Sequence, residues 1–507
     1  ADSAVDHPFR GDLLMTPTDE AVQMTSHETI RRRGPLRGPL AAAVFVLSLG
    51  ACESLLEVDL PGNLTEAALR DPALAEVLVT SVVGDFECGF VDYMRYPGQW
   101  FEESQNSSQS RPDALSGLRS QLTGVYADPC SSGTGPIWTT IQVPRQNARR
   151  AIEFIRAMTF SATNLPDTTF LIAKARLYEA YSVQLLAEQF CAVTFDAGPL
   201  VTRVAAYDTA EVKFTEAITR GLTVTGARAT EAAAVVNAAR VGRARARLYQ
   251  WQYAGGAAAD VIADASLVTA NFQMTATFDA NPARRRNRLF DTQTAKSMMP
   301  HRDWTNLRIA PDGTHVQGAS GGVLDPRVRI TVSTSGTDLD GRGVTFMRRQ
   351  TKYPARTSPI PFATWREARL MIAEVDPTQT LAIINQLRTT TTGMAATINT
   401  GGTAGAAAFP LPQISAATWA AMTPAQQRTT LWEERRRELY LQGVQAGDKI
   451  RWAYPAWDAA DEYGFSLRDV TQIDDPLTTG PEVAQGCIPI PFLEKTSNPF
   501  LIAMLAP

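Results

Sequence analysis

Apolar positions recur at helical rather than strand spacing over most of the chain. Asp71-Pro72 sets a capping carboxylate ahead of a proline at the first helical position, which predicts a helix running to about Val83. Residues 136–159 and 167–190 read as two more helices; in the second, Phe170, Leu177, Tyr181 and Leu185 share one face at spacings of seven, four and four. The pattern continues over 208–225, 229–253 and 257–270, with Gly255-Gly256 turning one helix back along the previous one. Helix-turn-helix pairs in tandem predict a superhelix of tetratricopeptide type, although no strict period of about 34 residues is legible.

From about 276 to 358 the character changes. This stretch opens with Arg284-Arg285-Arg286, scatters Gly and Pro, and alternates like a strand over Arg327-Val-Arg-Ile-Thr-Val332. Irregular structure with short strands is expected there, and loops this long inside a helical protein usually carry function. Helices then resume. Thr364-x-x-Glu367 and Thr423-x-x-Gln426 each fit a capping box, the second with Pro424 at the first helical position. Between them, the Thr-, Gly- and Ala-rich tract from Thr389 to Ala408 reads as a surface loop.

Composition narrows the functional classes. The 507 residues are 44% hydrophobic and 20% charged, which describes a water-soluble globular chain. A net charge of -4 without a long basic block excludes the electrostatic footprint of a nucleic-acid binder. Near the N-terminus, Arg31-Arg32-Arg33 and Arg37 precede an apolar run from Leu40 to Ala51 and then Cys52, the parts of a secretory signal too short to anchor as a spanning helix. Leu49-Gly50-Ala51-Cys52 resembles the bacterial lipobox, in which the cysteine is acylated and becomes the new N-terminus. A buried apolar helix that happens to end in Cys is the plainer alternative. Residues 1–30 lie upstream of a normal signal and are expected to be an over-extended start, with no part in the fold. Removing residues 1–51 leaves a near-neutral chain that is membrane-tethered through its lipid alone, because no later segment approaches the roughly 20 apolar residues of a spanning helix.

Without Cys52, the cysteines are Cys88, Cys130, Cys191 and Cys487, an even number in a chain bound for an oxidising compartment. Two disulfides are expected, and three pairings are open. The mature chain keeps only His301 and His315, too few for a three-histidine metal site, and no metal or cofactor is expected.

Other constellations were weighed for chemistry. Gly318-Ala-Ser320-Gly-Gly322 matches a nucleophile elbow in letters, but both mature histidines precede Ser320, and the elbow needs a strand before it and a helix after it. Asp338-Leu-Asp340-Gly341 begins like a calcium loop but has no Glu at the twelfth position. Glu434 and Glu438 lie four apart on one helical face, a spacing open to a glycosidase pair, but the neighbouring Arg435-Arg436-Arg437 favours structural ion pairing. Among the tryptophans, Trp251, Trp365 and Trp432 fall on predicted helices and read as core. Trp100, Trp304 and Trp457 fall in loop-like segments where an aromatic face can stack on a sugar, or simply pack.

Several segments together resemble the RagB/SusD family of nutrient-binding outer-membrane lipoproteins. These are Cys52-Glu-Ser-Leu-Leu-Glu-Val-Asp-Leu-Pro61 after the lipobox, Arg366–Glu374 with Leu381–Arg388, Glu434-Arg-Arg-Arg-Glu438-Leu439 with Gly443, Asp448 and Arg451-Trp452, and the closing Ile488-Pro-Ile-Pro491 and Asn498-Pro499. The chain departs from the pattern at Gln442 and Gln445 and in its tail, which touches packing of the signature helix more than ligand contacts. The resemblance implies a mainly α fold: a SusD-like tetratricopeptide-type superhelix with a long loop-rich region and a few short strands. The implied layout is a signal peptide at 31–51 and one domain at 52–507, with helical repeats at about 62–275 and 359–453, the ligand surface at 276–358 and a closing segment at 454–507. It implies pairing of Cys191 with Cys487 and of Cys88 with Cys130. It also implies a surface-facing outer-membrane lipoprotein anchored at Cys52, a SusC-like TonB-dependent barrel as partner, no enzymatic activity, and an oligosaccharide or, second, a peptide as ligand. Trp100 and Trp304 are the aromatic candidates for that ligand, with Arg302 and Asn306 as polar neighbours. The competing functions are a lipid-anchored helical glycoside hydrolase using Glu434 and Glu438, and a scaffold that binds only other envelope proteins.

Overall fold

The structure is a computed structural model and describes residues 66, 68–100, 103–107, 137–161, 167–281, 285–390, 410–452, 487, 488 and 490–505. The signal segment and Cys52, Cys130, Trp457, most of the 389–408 tract and the segment from 454 to 486 lie outside these residues.

Helix α1 spans Ala75–Trp100 and is led in by a 3-10 turn at Pro72–Leu74, where the Asp71 carboxylate accepts from Ala73 N. It is followed by α2 (Ile137–Ala157), α3 (Thr168–Gln189), α4 (Arg203–Gly221), α5 (Ala229–Ala254) and α6 (Ala258–Ala265). Each packs against its successor, so the chain advances as stacked helical hairpins. Gly255, at φ 69° in the left-handed region, caps α5 and lets the chain double back into α6. After a short α7 (Arg288–Thr294), the series resumes with α8 (Trp365–Val375) and α9 (Thr380–Thr389), and α8 lies against α5 and α6. Then come α10 (Ala416–Ala421), α11 (Pro424–Glu438), α12 (Gln445–Trp452), α13 (Phe492–Ser497) and α14 (Pro499–Leu505).

Helix α3 differs from the one-faced reading of its sequence: eighteen of its 22 residues are buried. It packs against α1, α2, α4, α5 and α12, and its small residues Ala173, Ala175, Ala180 and Ala187 suit close approach on several sides. An aromatic group seals the centre, where Phe362 stands edge-on to Phe86 (5.2 Å), Phe90 (5.9 Å) and Tyr181 (5.1 Å).

The strands are short; most sit in the loop-rich region or pair with it, and one two-stranded ribbon lies apart, between α3 and α4. Strand β1 (Ser104–Asn106) and β2 (Ala192–Val193) precede β3 (Val201–Thr202) and β4 (Gln273–Ala276); the region itself carries β5 (Met298–Pro300), β6 (Leu307–Ile309), β7 (His315–Gln317), β8 (Val323–Leu324), β9 (Ile330–Val332) and β10 (Arg348–Gln350), with β11 (Ile360–Thr364) leading into α8. All pairings are antiparallel: β1 with β5, β2 with β3, β4 with β11, β6 between β7 and β8, and β9 with β10.

Both predicted caps form. Thr364 accepts from Glu367 N, and Thr423 with Gln426 makes the reciprocal box. The Glu367 carboxylate instead turns to Arg245, meeting it at 2.6 and 2.7 Å in a buried bidentate pair.

At the C-terminus, Cys191 and Cys487, 296 positions apart in sequence, are joined by a disulfide. Beside it, Cys191 N donates to Ile488 O (2.9 Å) and Ile488 N to Gln189 O (2.7 Å), which stitches the closing segment to the end of α3. Cys88 is also disulfide-bonded.

Candidate functional site

The signature helix α11 joins the helical layer to the loop-rich region. From its last turn, Glu434 accepts from Arg327 (2.5 Å), from Arg388 (2.7 Å) and lies 2.8 Å from His315 Nε2. Glu438 pairs with Arg366 of α8 and, at 3.2 Å, with Arg327. Arg435 reaches Asp448 of α12 at 2.7 Å, and Arg437 donates to the Arg308 carbonyl of β6 at 2.8 Å. Gly443 then turns the chain into α12 at φ +79°, and a Cβ there would meet the Phe90 ring at 2.8 Å.

This geometry removes Glu434 and Glu438 as an acid and base. Burial alone would raise the pKa of each, but Arg327 and Arg388 with His315 hold Glu434 well below the carboxylate range, and Arg366 with Arg327 lowers Glu438. Both side chains are closed to solvent and both stay ionised, whereas glycoside hydrolysis needs one protonated carboxyl facing its substrate. Burial, followed by repulsion from Arg437, lowers the pKa of His315 to about 4, so it is neutral at physiological pH.

The other candidates settle likewise. Ser320 is exposed in the turn between β7 and β8, with no helix after it, so the nucleophile-elbow letters carry no elbow. Asp338 is held by Arg349 (2.6 and 2.7 Å) and by Lys296 (3.1 Å). Asp340 accepts from Val344 N (2.9 Å) and from the Thr345 hydroxyl (2.9 Å), so these two carboxylates brace a turn. Among the described residues no group of histidine, cysteine, aspartate and glutamate is arranged to hold a metal.

The expected ligand residues come together around β5. Ser104 pairs with Pro300, and His301 N donates to the Glu103 carbonyl (3.3 Å), which brings the end of α1 to the turn that carries Arg302 and Trp304. Trp100 is a correction to its loop reading, since it is the last residue of α1. Trp304 is a second correction: it is 1% exposed, with the Tyr440 ring 4.5 Å away and the Arg436 guanidinium 4.6 Å over its ring. Its face is used internally and is closed to a sugar. The surface around it belongs to Arg302, whose side chain is 81% exposed, and to Asn306, exposed in the left-handed region at φ 55°.

Sequence reading passed over Phe346. It is 47% exposed and follows the exposed Val344 on the ribbon that continues β10. Its signal was slight, because the apolar pair Val344 and Phe346 is followed at once by Met347 and Arg348, which breaks any alternation. Turn-like residues around them masked it.

By sequence, no family model matches the chain and no curated protein is similar to it. By structure the likeness covers most of the chain. A SusD/RagB family protein from Bacteroides thetaiotaomicron matches with a TM-score of 0.53 at 14% identity, over 85% of this chain and 95% of its own. A SusD-like carbohydrate binding protein from Bacteroides fragilis gives 0.53 at 16%, over 85% and 98%. The chain has the SusD/RagB fold. A SusD superfamily protein from Parabacteroides distasonis adds 0.51 at 14%, over 86% and 98%. In SusD/RagB terms, the stacked hairpins are the tetratricopeptide-type layer, and α11 is the helix that seats the loop-rich region on it. Among the described residues, no helix of this SusD/RagB fold is long and apolar enough to cross a membrane.

Proposed function

We propose that this chain is a non-enzymatic surface lipoprotein that binds a nutrient, an oligosaccharide first, and passes it to a SusC-like TonB-dependent barrel in the outer membrane. The observation that carries the reading is fold likeness over about 85% of the chain to structures that include a SusD-like carbohydrate binding protein. Leu49-Gly50-Ala51-Cys52 supports anchoring by a lipid on Cys52. The loop-rich region supports binding, because it is tied to α11 by buried ion pairs and exposes Arg302, Asn306 and Phe346. A binder needs shape, an aromatic face and hydrogen-bond donors, and needs no tuned acid or base. A carboxylate pair locked by three arginines agrees with that role rather than with hydrolysis.

The test is a pull-down of the lipidated protein from detergent-solubilised outer membranes, with partners identified by mass spectrometry. Recovery of a large TonB-dependent barrel in near-equal amount is expected. Recovery of the protein alone, together with glycan turnover in an activity screen, would overturn the reading.

A further inference from the structure

The turn between α11 and α12 carries a strained residue. Leu441 has φ 54°, a left-handed backbone that is costly for a bulky L side chain, and that side chain is buried. Such residues persist where their surroundings over-determine them. Leu441 N donates to Glu103 Oε1 (2.7 Å), its carbonyl accepts from the Tyr353 hydroxyl (2.9 Å), and the Tyr440 carbonyl accepts from Lys352 Nζ (2.6 Å). Glu103 precedes β1, while Lys352 and Tyr353 follow β10, so the turn is gripped by two separate segments of chain. Beside these grips lies a small cavity, walled by the turn, by β5 and by the start of β1.

Several polar groups lining the cavity are already engaged. Gln293 bonds to the Gln350 main chain at both ends of its amide (3.1 and 2.7 Å), Gln350 does the same with Tyr353 (3.1 and 2.8 Å), and the Thr292 hydroxyl donates to the Arg288 carbonyl (2.7 Å). Two hydroxyls are not. Those of Ser104 and Tyr440 are closed to solvent and have no hydrogen-bond partner among the described residues. Glu103 Oε2 lies with them: it and Ser104 Oγ each stand 3.6 Å from the point where a Cβ on Gly98 would sit, so the two oxygens are neighbours. Glu103, Ser104 and Tyr440 are only 2%, 7% and 0% exposed. Buried hydroxyls are paired in native folds, with protein or with ordered water. The cavity leaves about 20 Å³ to the centre of a water molecule, room for one water and nothing larger. A water matches the groups present, because it accepts from the Tyr440 hydroxyl, donates to Glu103 Oε2, and bonds Ser104 in either sense. A cation matches them poorly, since Glu103 already feels the charges of Lys352 and Lys449, and a third positive charge would meet like charges.

We propose that Glu103, Ser104 and Tyr440 form a binding site for one water molecule, which bridges the start of β1 to the turn between α11 and α12. The bridge completes the set of grips on the strained turn and holds the Tyr440 side chain by its hydroxyl. The Tyr440 ring lies 4.5 Å from that of Trp304, whose turn carries the exposed Arg302. The water thereby links the candidate ligand surface to the signature helix. It does so whatever the ligand is, so the site does not depend on the uptake reading above.

The test is a high-resolution crystal structure of the full chain, from crystals kept in sodium chloride and from crystals soaked in rubidium chloride. One ordered water is expected in both, within about 2.6–3.2 Å of Ser104 Oγ, Tyr440 Oη and Glu103 Oε2. A dry cavity, or an anomalous rubidium peak inside it, would overturn the site. Solution measurements check the bridge separately. Ser104→Ala and Tyr440→Phe, the second of which keeps the ring against Trp304, should each raise the unfolding equilibrium constant about fivefold in urea titrations. The double variant should fall short of the product of the two, because both hydroxyls hold the same molecule. Effects that multiply in full would mean that the hydroxyls share no water, and would overturn the bridge.

Discussion

Arg327 donates to Glu434 over 2.5 Å across the junction between the loop-rich region and α11, and neither side chain is more than 1% exposed. The same guanidinium clasps Asp325 through two nitrogens, at 2.9 and 2.8 Å. Few contacts with water remain to either partner if the other is lost. Arg327→Met should therefore cost about 3–5 kcal/mol, because it strands buried carboxylates. Urea unfolding followed by circular dichroism reads this directly. A loss under about 1 kcal/mol would show that the cluster is not a structural clamp.

His315 gives the clamp an acid limit. Its folded pKa, about 4, lies below the ordinary histidine value of 6.5, so the unfolded chain takes up a proton first as pH falls. The stability it contributes is complete above pH 6.5 and is lost on the way down through pH 4. Across that window, wild type should lose up to about 3 kcal/mol that His315→Gln does not lose. Thermal melts of both proteins from pH 7 to pH 4 make the comparison, and parallel curves would rule the effect out.

The Cys191–Cys487 bridge closes a very long loop, which restricts the unfolded chain. Cys191→Ser should destabilise by about 2–5 kcal/mol. It should also loosen the closing segment, whose remaining ties include Asn498 Nδ2 to the Gly198 carbonyl (2.9 Å) and the Thr194 hydroxyl to Glu494 (2.5 Å). Amide exchange over residues 487–505 should rise in the variant. If exchange there is unchanged, these hydrogen bonds alone hold the segment.

The helical layer was legible in sequence because caps and apolar periodicity are local. Asp71-Pro72, Thr364 and Thr423 each mark a start that the structure keeps. What escaped was set by distant residues. Helix α1 runs past Val83 through Gly84, Gly89 and Pro97 to Trp100; at Gly89 a Cβ would meet the Thr140 carbonyl at 2.6 Å, so α2 packs where the local signal said stop. Helix α4 begins at Arg203 rather than 208 because Thr202 caps it, accepting from Ala205 N. For Trp304 the sequence left stacking on a sugar and packing both open, because Tyr440 and Arg436, which cover it, lie more than a hundred positions away.

Glu103 is the clearest such case, a carboxylate that nothing in its neighbourhood in sequence marks. It is 2% exposed at the end of α1, accepts from Leu441 N at 2.7 Å, and supplies the carbonyl that holds His301. Burial raises its pKa to about 7, although the Leu441 N–H and the Lys352 and Lys449 charges pull the other way. Lys352, donating to the Tyr440 carbonyl at 2.6 Å, is itself lowered by burial to about 8. Because the folded pKa of Glu103 lies above its ordinary 4.5, the stability linked to its proton is complete below pH 4.5 and is lost as pH rises through 7. Glu103→Gln keeps the acceptor for Leu441 and removes the charge. Its amide can also reach polar company, since the buried Ser104 and Tyr440 hydroxyls line the same small cavity without hydrogen-bond partners among the described residues. Relative to wild type, the variant should gain up to about 3 kcal/mol between pH 5 and pH 8. Denaturant titrations at the two pH values test it. A difference that is flat with pH, or that grows toward acid, would mean Glu103 is ionised throughout and that Lys352 and Lys449 outweigh its burial.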